Sequence, residues 1–172
     1  QKGEIDLLGP AKNIAKELMS LPDVENSNGT LFSNEIKIIK NFKKALLMVA
    51  GTAVKKFNDK LGEQQEVLMN IADMINTIYL CESTLLRVLK VTQNNLSDQY
   101  EAQKMMLQVL VYDSCDKMNK FGKNTVYSIA EGDEASMMIL GLKRFTKHNG
   151  LDAISLRRNI AKQLIEANEY CF

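Results

Sequence analysis

Apolar residues recur at alternating intervals of four and three through the middle of the chain. Between residues 63 and 90 there is no Pro or Gly to interrupt them. Because an α-helix has 3.6 residues per turn, such a row lies along one helical face. We expect one helix, about 40 Å long at 1.5 Å per residue, that needs partner helices on more than one side. The first apolar row is Val67, Ile71, Met74, Ile78, Cys81, Leu85 and Val88, and a second row is Leu68, Ile75, Leu86 and Leu89.

Helical spacing also dominates the rest of the chain. Gly122 leaves the spacing around it unchanged, so we predict one continuous helix there; a close helix crossing would offset the roughly 1 kcal/mol cost of a helical glycine. The Pro-, Asn- and Gly-rich segment 21–30 predicts the longest loop. Ser33 is a predicted N-cap, and either Asp152 or Ser155 begins the last helix. The predicted helices cover residues 4–20, 33–58, 63–94, 97–131, 134–147 and 152–168.

These elements predict an all-α fold. Short connections between long helices are typical of antiparallel neighbours. We therefore expect an up-and-down helical bundle of three long antiparallel helices, completed by shorter first and last helices. Residues 1–172 should form a single helical domain. The chain begins abruptly within a helical pattern, so we expect it to be the C-terminal part of something longer.

Charge and cysteine content indicate which partners and which cellular compartment the protein is suited to. With 22 basic and 21 acidic residues the net charge is +1, which argues against a nucleic-acid-binding protein. Three cysteines, Cys81, Cys115 and Cys171, stand far apart, and their odd number is typical of a reducing compartment. No apolar run reaches the length of a membrane span. We therefore expect a cytoplasmic protein in which Cys81 and Cys115 are buried thiols.

The residues that could perform chemistry do not form a recognisable constellation. The one histidine, His148, has Phe145 and not a glutamate three positions before it, so the Glu-x-x-His pattern of di-iron bundles is absent. No glycine-rich phosphate-binding loop occurs. We predict no catalytic, cofactor-binding or metal-binding residue. The acids on otherwise apolar helices could face inward or form a solvated, ion-paired surface; they are Asp73, Glu82, Asp113 and Asp116.

Lysines are concentrated on the second predicted helix, where Glu35 is the only acid. Cations near a helix N-terminus oppose the macrodipole, so helix stability does not explain them. Two interpretations stay open. The lysines could meet an anionic partner, such as a phospholipid surface, a coenzyme A phosphate or an acidic subunit face, or they could form a solvated face that pairs with acids on a neighbouring helix. The candidate partner-docking residues are Lys37, Lys40, Lys43 and Lys44.

Three segments carry a resemblance to a known family. KGEIDLLGPAKNIAKEL, EQQEVLMNIADMINTIYLCESTLLRVLK and YDSCDKMNKFGKNTVYSIAEG resemble the C-terminal region of long bacterial acyl-CoA dehydrogenases, the forms related to very-long-chain acyl-CoA dehydrogenase. The ending NEYCF is similar to the ends of such chains. The resemblance covers nearly the whole sequence, and it rests on helical patterns.

The resemblance implies a flavin enzyme that oxidises the α–β bond of an acyl-CoA thioester. In that family a glutamate base and the FAD contacts lie in an upstream catalytic body, so FAD would belong to the full-length parent and this part alone would be inert. The implied partners are that catalytic body and a homo-oligomer, without a strong membrane anchor. The alternatives are a free-standing helical adaptor or scaffold and, more remotely, a metal-carboxylate bundle enzyme.

Overall fold

Five α-helices lie between residues 31 and 169 of the computed structural model. The structure describes residues 31–93 and 97–169, and also Gly9, Pro10, Asn13, Ile14 and Glu17, which are helical. The predicted loop at 21–30, most of the predicted first helix and Cys171 lie outside the described residues. The helices are α1 (Ser33–Phe57), α2 (Gln65–Gln93), α3 (Ser97–Ile129), α4 (Gly132–Phe145) and α5 (Ala153–Ala167), and a 3-10 helix (Asn58–Glu63) joins α1 to α2.

The three long helices run antiparallel, as the prediction of an all-α bundle requires. Lys43 Nζ of α1 lies 2.6 Å from Glu82 Oε1 of α2. The Cys81 thiol of α2 lies 3.2 Å from the Ser114 hydroxyl of α3. In each case the two residues stand at similar distances from the connection between their helices, which happens only when neighbouring helices point in opposite directions. The predicted fold class is confirmed.

Helix α1 begins differently from the prediction. Phe32, not Ser33, is the N-cap residue; it has a left-handed φ of 60° and makes no side-chain capping bond. Its carbonyl accepts the Ile36 N–H at 2.9 Å, and its buried ring packs edge-on against Tyr100 with 6.4 Å between centroids. Burial of an aromatic side chain is worth about 1.5–3 kcal/mol, comparable to or more than the roughly 1 kcal/mol of a side-chain cap.

Helix α4 begins and ends earlier than the predicted range of 134–147. Its end is set by Thr146, whose buried hydroxyl donates to the Leu142 carbonyl at 2.8 Å and accepts from Asn119 Nδ2 at 2.9 Å. The second bond ties the end of α4 to α3, on which Asn119 lies. At α5 the first alternative is confirmed, because Asp152 Oδ1 accepts the Ser155 N–H at 3.1 Å.

Helix α3 lies at the centre of the bundle and contacts each of the other four helices. It passes unbroken through Gly122, as predicted. A Cβ atom at Gly122 would lie 2.5 Å from Leu142 Cδ1 of α4. The predicted close helix crossing is therefore present, and the missing side chain of Gly122 leaves the room that Leu142 of α4 fills.

Helix α2 buries only one of its two predicted apolar rows. The first row, here called the inner row, is buried throughout: Val67, Ile71, Met74, Ile78, Cys81, Leu85 and Val88. In the second row Leu89 is half-buried against the core. However, Leu68, Ile75 and Leu86 are 36%, 50% and 61% exposed. The expectation that α2 is covered on more than one side is wrong for these three residues, because no described helix packs over them.

Candidate functional site

A basic cavity lies between the N-terminal half of α1 and the end of α4. Its volume is about 420 Å³, and five cationic side chains and one carboxylate of the described residues line it. We call it the basic cavity. Its lining residues are Glu17, Asn34, Lys37, Ile38, Lys40, Asn41, Lys44, Arg144, Phe145, Lys147 and Asn149.

The spacing of residues on α1 builds one wall of the basic cavity. Lys37, Lys40 and Lys44 are separated by three and four positions, so they share one face of the helix. Ile38 and Phe145 line the cavity with buried apolar side chains, only 4% and 2% exposed. The cationic groups thus lie around the opening of the cavity, and buried residues of the core form its inner surface.

Positive charge in the basic cavity is only partly neutralised. Lys44 Nζ pairs with Glu17 Oε1 at 2.5 Å, and Arg144 Nη1 donates to the Glu17 carbonyl at 3.4 Å. Lys37, Lys40 and Lys147 are exposed, and their side chains have no hydrogen bond or ion pair with the described residues. Three ammonium groups that face one cavity without such a partner raise its positive potential, which attracts an anion.

The four lysines predicted as a docking set do not share one surface. Lys37, Lys40 and Lys44 line the basic cavity. Lys43 lies on the neighbouring side of α1 and pairs with Glu82 of α2, because one step along a helix turns the side chain by about 100°. The interpretation as a face that pairs with a neighbouring helix therefore holds for Lys43.

A second cavity beside α1 has a balanced set of charges and serves as a comparison. It encloses about 390 Å³ and is lined by Lys55 and Lys56, but also by Glu131 and Glu134 near the α3–α4 connection. Here cations and carboxylates are equal in number. The basic cavity differs because cations exceed carboxylates among the described residues that line it.

Sequence reasoning missed the residues that α4 and the following segment contribute. Arg144, Lys147 and Asn149 line the basic cavity, although they are about a hundred positions from the lysines of α1. The signal was a basic segment at the end of a predicted helix, which helix-dipole preferences already explain. Only the packing of α4 against α1 brings the two groups together.

Two cysteines and the histidine lie outside the basic cavity, where they take part in packing and hydrogen bonding. Burial raises the pKa of the Cys81 thiol, and burial, with help from the nearby Asp116, raises the pKa of Cys115 to about 12. Neither thiol forms the thiolate needed for nucleophilic chemistry at neutral pH. His148 packs edge-on against Tyr112, and its Nδ1 accepts the Gly150 N–H at 3.1 Å.

The acids on the apolar helices face outward, as the second alternative predicted. Glu82 pairs with Lys43, and Asp113 accepts from Arg157 at 2.6 Å. Asp73 and Asp116 are exposed. Within residues 31–93 and 97–169 and the five separate positions, no three His, Cys, Asp or Glu side chains stand close enough to hold a metal ion. Nor is any helix of the described part long and apolar enough to cross a membrane.

A second surface of interest is an apolar row on the solvent side of α2. Leu68, Ile75, Tyr79 and Leu86, here called the outer row, are 36–73% exposed. Their intervals of seven, four and seven place them on one side of the helix. An exposed apolar row of this length is a typical protein contact surface.

Comparison with known proteins relates nearly the whole chain to one family. The family model described as acyl-CoA dehydrogenase, C-terminal domain, matches residues 41–144. A probable acyl-CoA dehydrogenase of Bacillus subtilis (strain 168) is 29% identical over 169 residues, which are 98% of this chain and 28% of that protein. The crystal structure of an acyl-CoA dehydrogenase complexed with FAD from Bacillus anthracis matches 99% of this chain and 29% of its own, with a TM-score of 0.89 and 29% identity. The chain thus spans less than a third of the length of either relative.

Proposed function

Because this chain belongs to the family of acyl-CoA dehydrogenase C-terminal domains, we propose that it is the accessory C-terminal domain of a longer, FAD-dependent acyl-CoA dehydrogenase. The parent enzyme would oxidise the α–β bond of a fatty acyl-CoA, and it would be related to the very-long-chain enzymes. In this proposal, residues 1–172 form one helical domain of the parent enzyme. The parent enzyme is cytoplasmic and homo-oligomeric.

The domain itself is non-catalytic in this proposal. Among the described lining residues of the basic cavity five are cationic, three are amides and only Ile38 and Phe145 are apolar, a set that suits a small anion better than the flavin ring of FAD. FAD is therefore assigned to the catalytic body, as is the base that removes the α-proton. The acids of the apolar helices face outward, and the buried thiols have a raised pKa, so neither group suits catalysis. The role of this domain in the proposal is therefore structural and binding.

The basic cavity supports docking onto an acidic face of the catalytic body. Lys37 and Lys40 lie in the N-terminal half of α1, where a cation opposes the helix macrodipole. Neither has an ion-pair partner among the described residues, so the described ion pairs do not account for their position. An acidic partner face would compensate Lys37, Lys40 and Lys147 together. This uncompensated charge is the observation that carries the proposal of docking.

The first test removes charge from the basic cavity of the full-length parent. In the triple variant Lys37→Gln/Lys40→Gln/Lys44→Gln we expect the domain to detach more readily from the body at about 0.01 M salt, where charges act over roughly 30 Å, and little change at about 1 M, where they act over roughly 3 Å. Small-angle X-ray scattering would show detachment as an increased radius of gyration.

The matched control is Lys55→Gln/Lys56→Gln, on the same helix but beside Glu131 and Glu134. It should leave docking unchanged. Lys43→Gln, tested separately, shows whether the docking face extends around α1 towards α2. An unaltered radius of gyration for the triple variant at low salt would remove the proposed docking role of these lysines.

A free-standing helical adaptor or scaffold is the second candidate function. The exposed outer row of α2 favours it, because an adaptor needs an apolar surface for its partner. The gene distinguishes the two functions. A reading frame that continues upstream of Gln1 into a flavoprotein supports the accessory domain, whereas an initiator Met directly before Gln1 supports the adaptor.

A further inference from the structure

The basic cavity concentrates positive charge around a small volume. Among the described residues that line it, five cations against one carboxylate leave an excess of four positive charges around about 420 Å³. That volume falls within the range of about 300–1,000 Å³ that is typical of small-molecule sites. The combination of small size and high charge is suited to a compact ligand that carries several negative charges.

We propose that the basic cavity is a binding site for the phosphate groups of a small molecule. The inference goes beyond the proposed docking, because it assigns a ligand to the inside of the cavity and not only a partner to its edge. It rests on the residues of the cavity and is independent of the reaction of the parent enzyme. Three features select this ligand: the charge for the volume, the amide groups, and the direction of α1.

The first feature is the amount of charge that the cavity has to accept. A phosphate monoester carries about −1.5 to −2 charges at neutral pH and presents three strong acceptor oxygens. A carboxylate side chain brings one negative charge. An acidic protein face would therefore have to insert several carboxylates into the cavity, whereas one or two phosphate groups bring a comparable charge in less space.

The second feature is a row of amide groups among the cations. Asn34, Lys37, Asn41 and Lys44 line the cavity at intervals of three, four and three, so amide and ammonium groups alternate along one face of α1. Asn34 and Asn41 are half-buried, and their side chains form no hydrogen bond within the part of the chain that the structure describes. Each amide nitrogen can donate two hydrogen bonds. Phosphate oxygens would accept them at the same place where the cations attract the charge.

The third feature is the direction of α1. Asn34 lies in the first turn of this helix, where the macrodipole places partial positive charge. The macrodipole makes Lys37 and Lys40 unfavourable in the domain by itself, but it favours an anion that lies between them. Helix and lysines therefore act in the same direction once the cavity holds a phosphate group.

The test measures binding of radiolabelled inorganic pyrophosphate to the full-length natural protein by equilibrium dialysis, at an ionic strength kept constant near 0.15 M. We expect one bound pyrophosphate per chain that is at least about tenfold weaker in the triple variant Lys37→Gln/Lys40→Gln/Lys147→Gln. Pyrophosphate bound elsewhere on the parent is the same in both proteins, so the difference reports the basic cavity. The matched control Lys55→Gln/Lys56→Gln should bind like the natural protein. Equal binding by the natural protein and the triple variant would overturn the site.

A variant that keeps every charge separates phosphate binding from docking. Asn41→Leu removes the amide from the middle of the row and keeps a side chain of similar size. It should weaken pyrophosphate binding by at least about fivefold, the loss expected for a hydrogen bond to a charged group. The radius of gyration at low salt should not change, because the cations that would dock the domain are retained. Natural affinity in Asn41→Leu would show that charge alone attracts the anion, which overturns a built phosphate site.

Other occupants of the basic cavity would give other results. If acidic side chains of the catalytic body fill it, the natural protein would not bind this pyrophosphate, and loss of the lysines would still detach the domain. If the phosphate belongs to a membrane lipid, the natural protein and not the triple variant would sediment with phosphatidic acid vesicles, without binding free pyrophosphate. Either outcome overturns the small-molecule ligand. Conversely, lysine-dependent pyrophosphate binding without any detachment would remove the docking role and keep the phosphate site.

Discussion

The two apolar rows of α2 consist of similar residues and lie in opposite environments. Met74, in the inner row, is fully buried between helices, while Ile75, the next residue, is 50% exposed. Both belong to apolar rows that follow helical periodicity. The difference is set by the neighbours of α2, because α1 and α3 pack against one face and no described helix packs against the other. Apolar periodicity therefore identifies a contact surface, but it does not say whether the contact lies within the chain or beyond it.

The largest expected effect separates the two faces directly. Met74→Ala should destabilise the fold by about 2–5 kcal/mol, because it leaves a cavity in a close-packed core. Ile75→Ala, the matched control, should change stability by no more than about 0.5 kcal/mol at concentrations that keep the chain monomeric. Urea unfolding followed by circular dichroism measures both. Equal losses in the two variants would show that the outer row is as well packed as the inner row.

The close crossing of α3 and α4 provides the next test of the buried interior. Gly122→Ala places a methyl group 2.5 Å from Leu142 Cδ1, and such overpacking costs about 1–3 kcal/mol. The gain in helix propensity offsets about 1 kcal/mol of this, so we expect a net loss of roughly 1 kcal/mol in the unfolding free energy.

Gly62→Ala is the matched control for this substitution, since no atom lies within 4 Å of its Cβ position. It should be neutral or stabilising. If Leu142→Ala is added, Gly122→Ala should become less costly, because the clashing atoms are gone. A stabilising Gly122→Ala in the otherwise unchanged chain would mean that α4 yields to the added methyl group.

The smallest expected effect lies at the fully exposed start of α5. Hydrogen bonds from the Ser155 hydroxyl and from its backbone N–H lower the pKa of Asp152 from its ordinary value of 3.8. A carboxyl group whose pKa is lower in the folded state stabilises that state above pH 3.8 and loses this contribution as the pH falls through the folded pKa. Asp152→Asn should therefore lower Tm slightly at neutral pH and not at all at strongly acidic pH.

Thermal unfolding across this pH range measures the effect. Asp73→Asn, an exposed carboxylate on α2, is the comparison for the simple loss of one charge. A Tm difference for Asp152→Asn that stays constant from neutral to strongly acidic pH would show that the carboxylate does not act through its charge.

Local patterns predicted most of the fold. The inner row of α2, the continuous α3 through Gly122 and the cap at Asp152 all depend on residues a few positions apart, which is the range that helix geometry governs. Predictions failed where a distant residue intervened. Phe32 begins α1 in place of Ser33 because its ring packs against Tyr100.

The candidate site was predictable only in part, for the same reason. The concentration of lysines on one helix was visible in the sequence and led to Lys37, Lys40, Lys43 and Lys44. The sequence did not show that Lys43 lies apart from the other three lysines, because this depends on which helix each side chain contacts. Their docking role stays a prediction.

The sequence by itself determined the helices, their antiparallel order and the row of α2 that meets the core, because intervals of three and four are a local property of the backbone. Only the tertiary structure decided where the charges and the second apolar row are placed. Packing of α4 against α1 brings Arg144 and Lys147 to the α1 lysines, and the position of α3 and α1 on one side of α2 leaves Ile75 and Leu86 in solvent. Both outcomes depend on contacts between residues far apart in the chain, which no local spacing specifies.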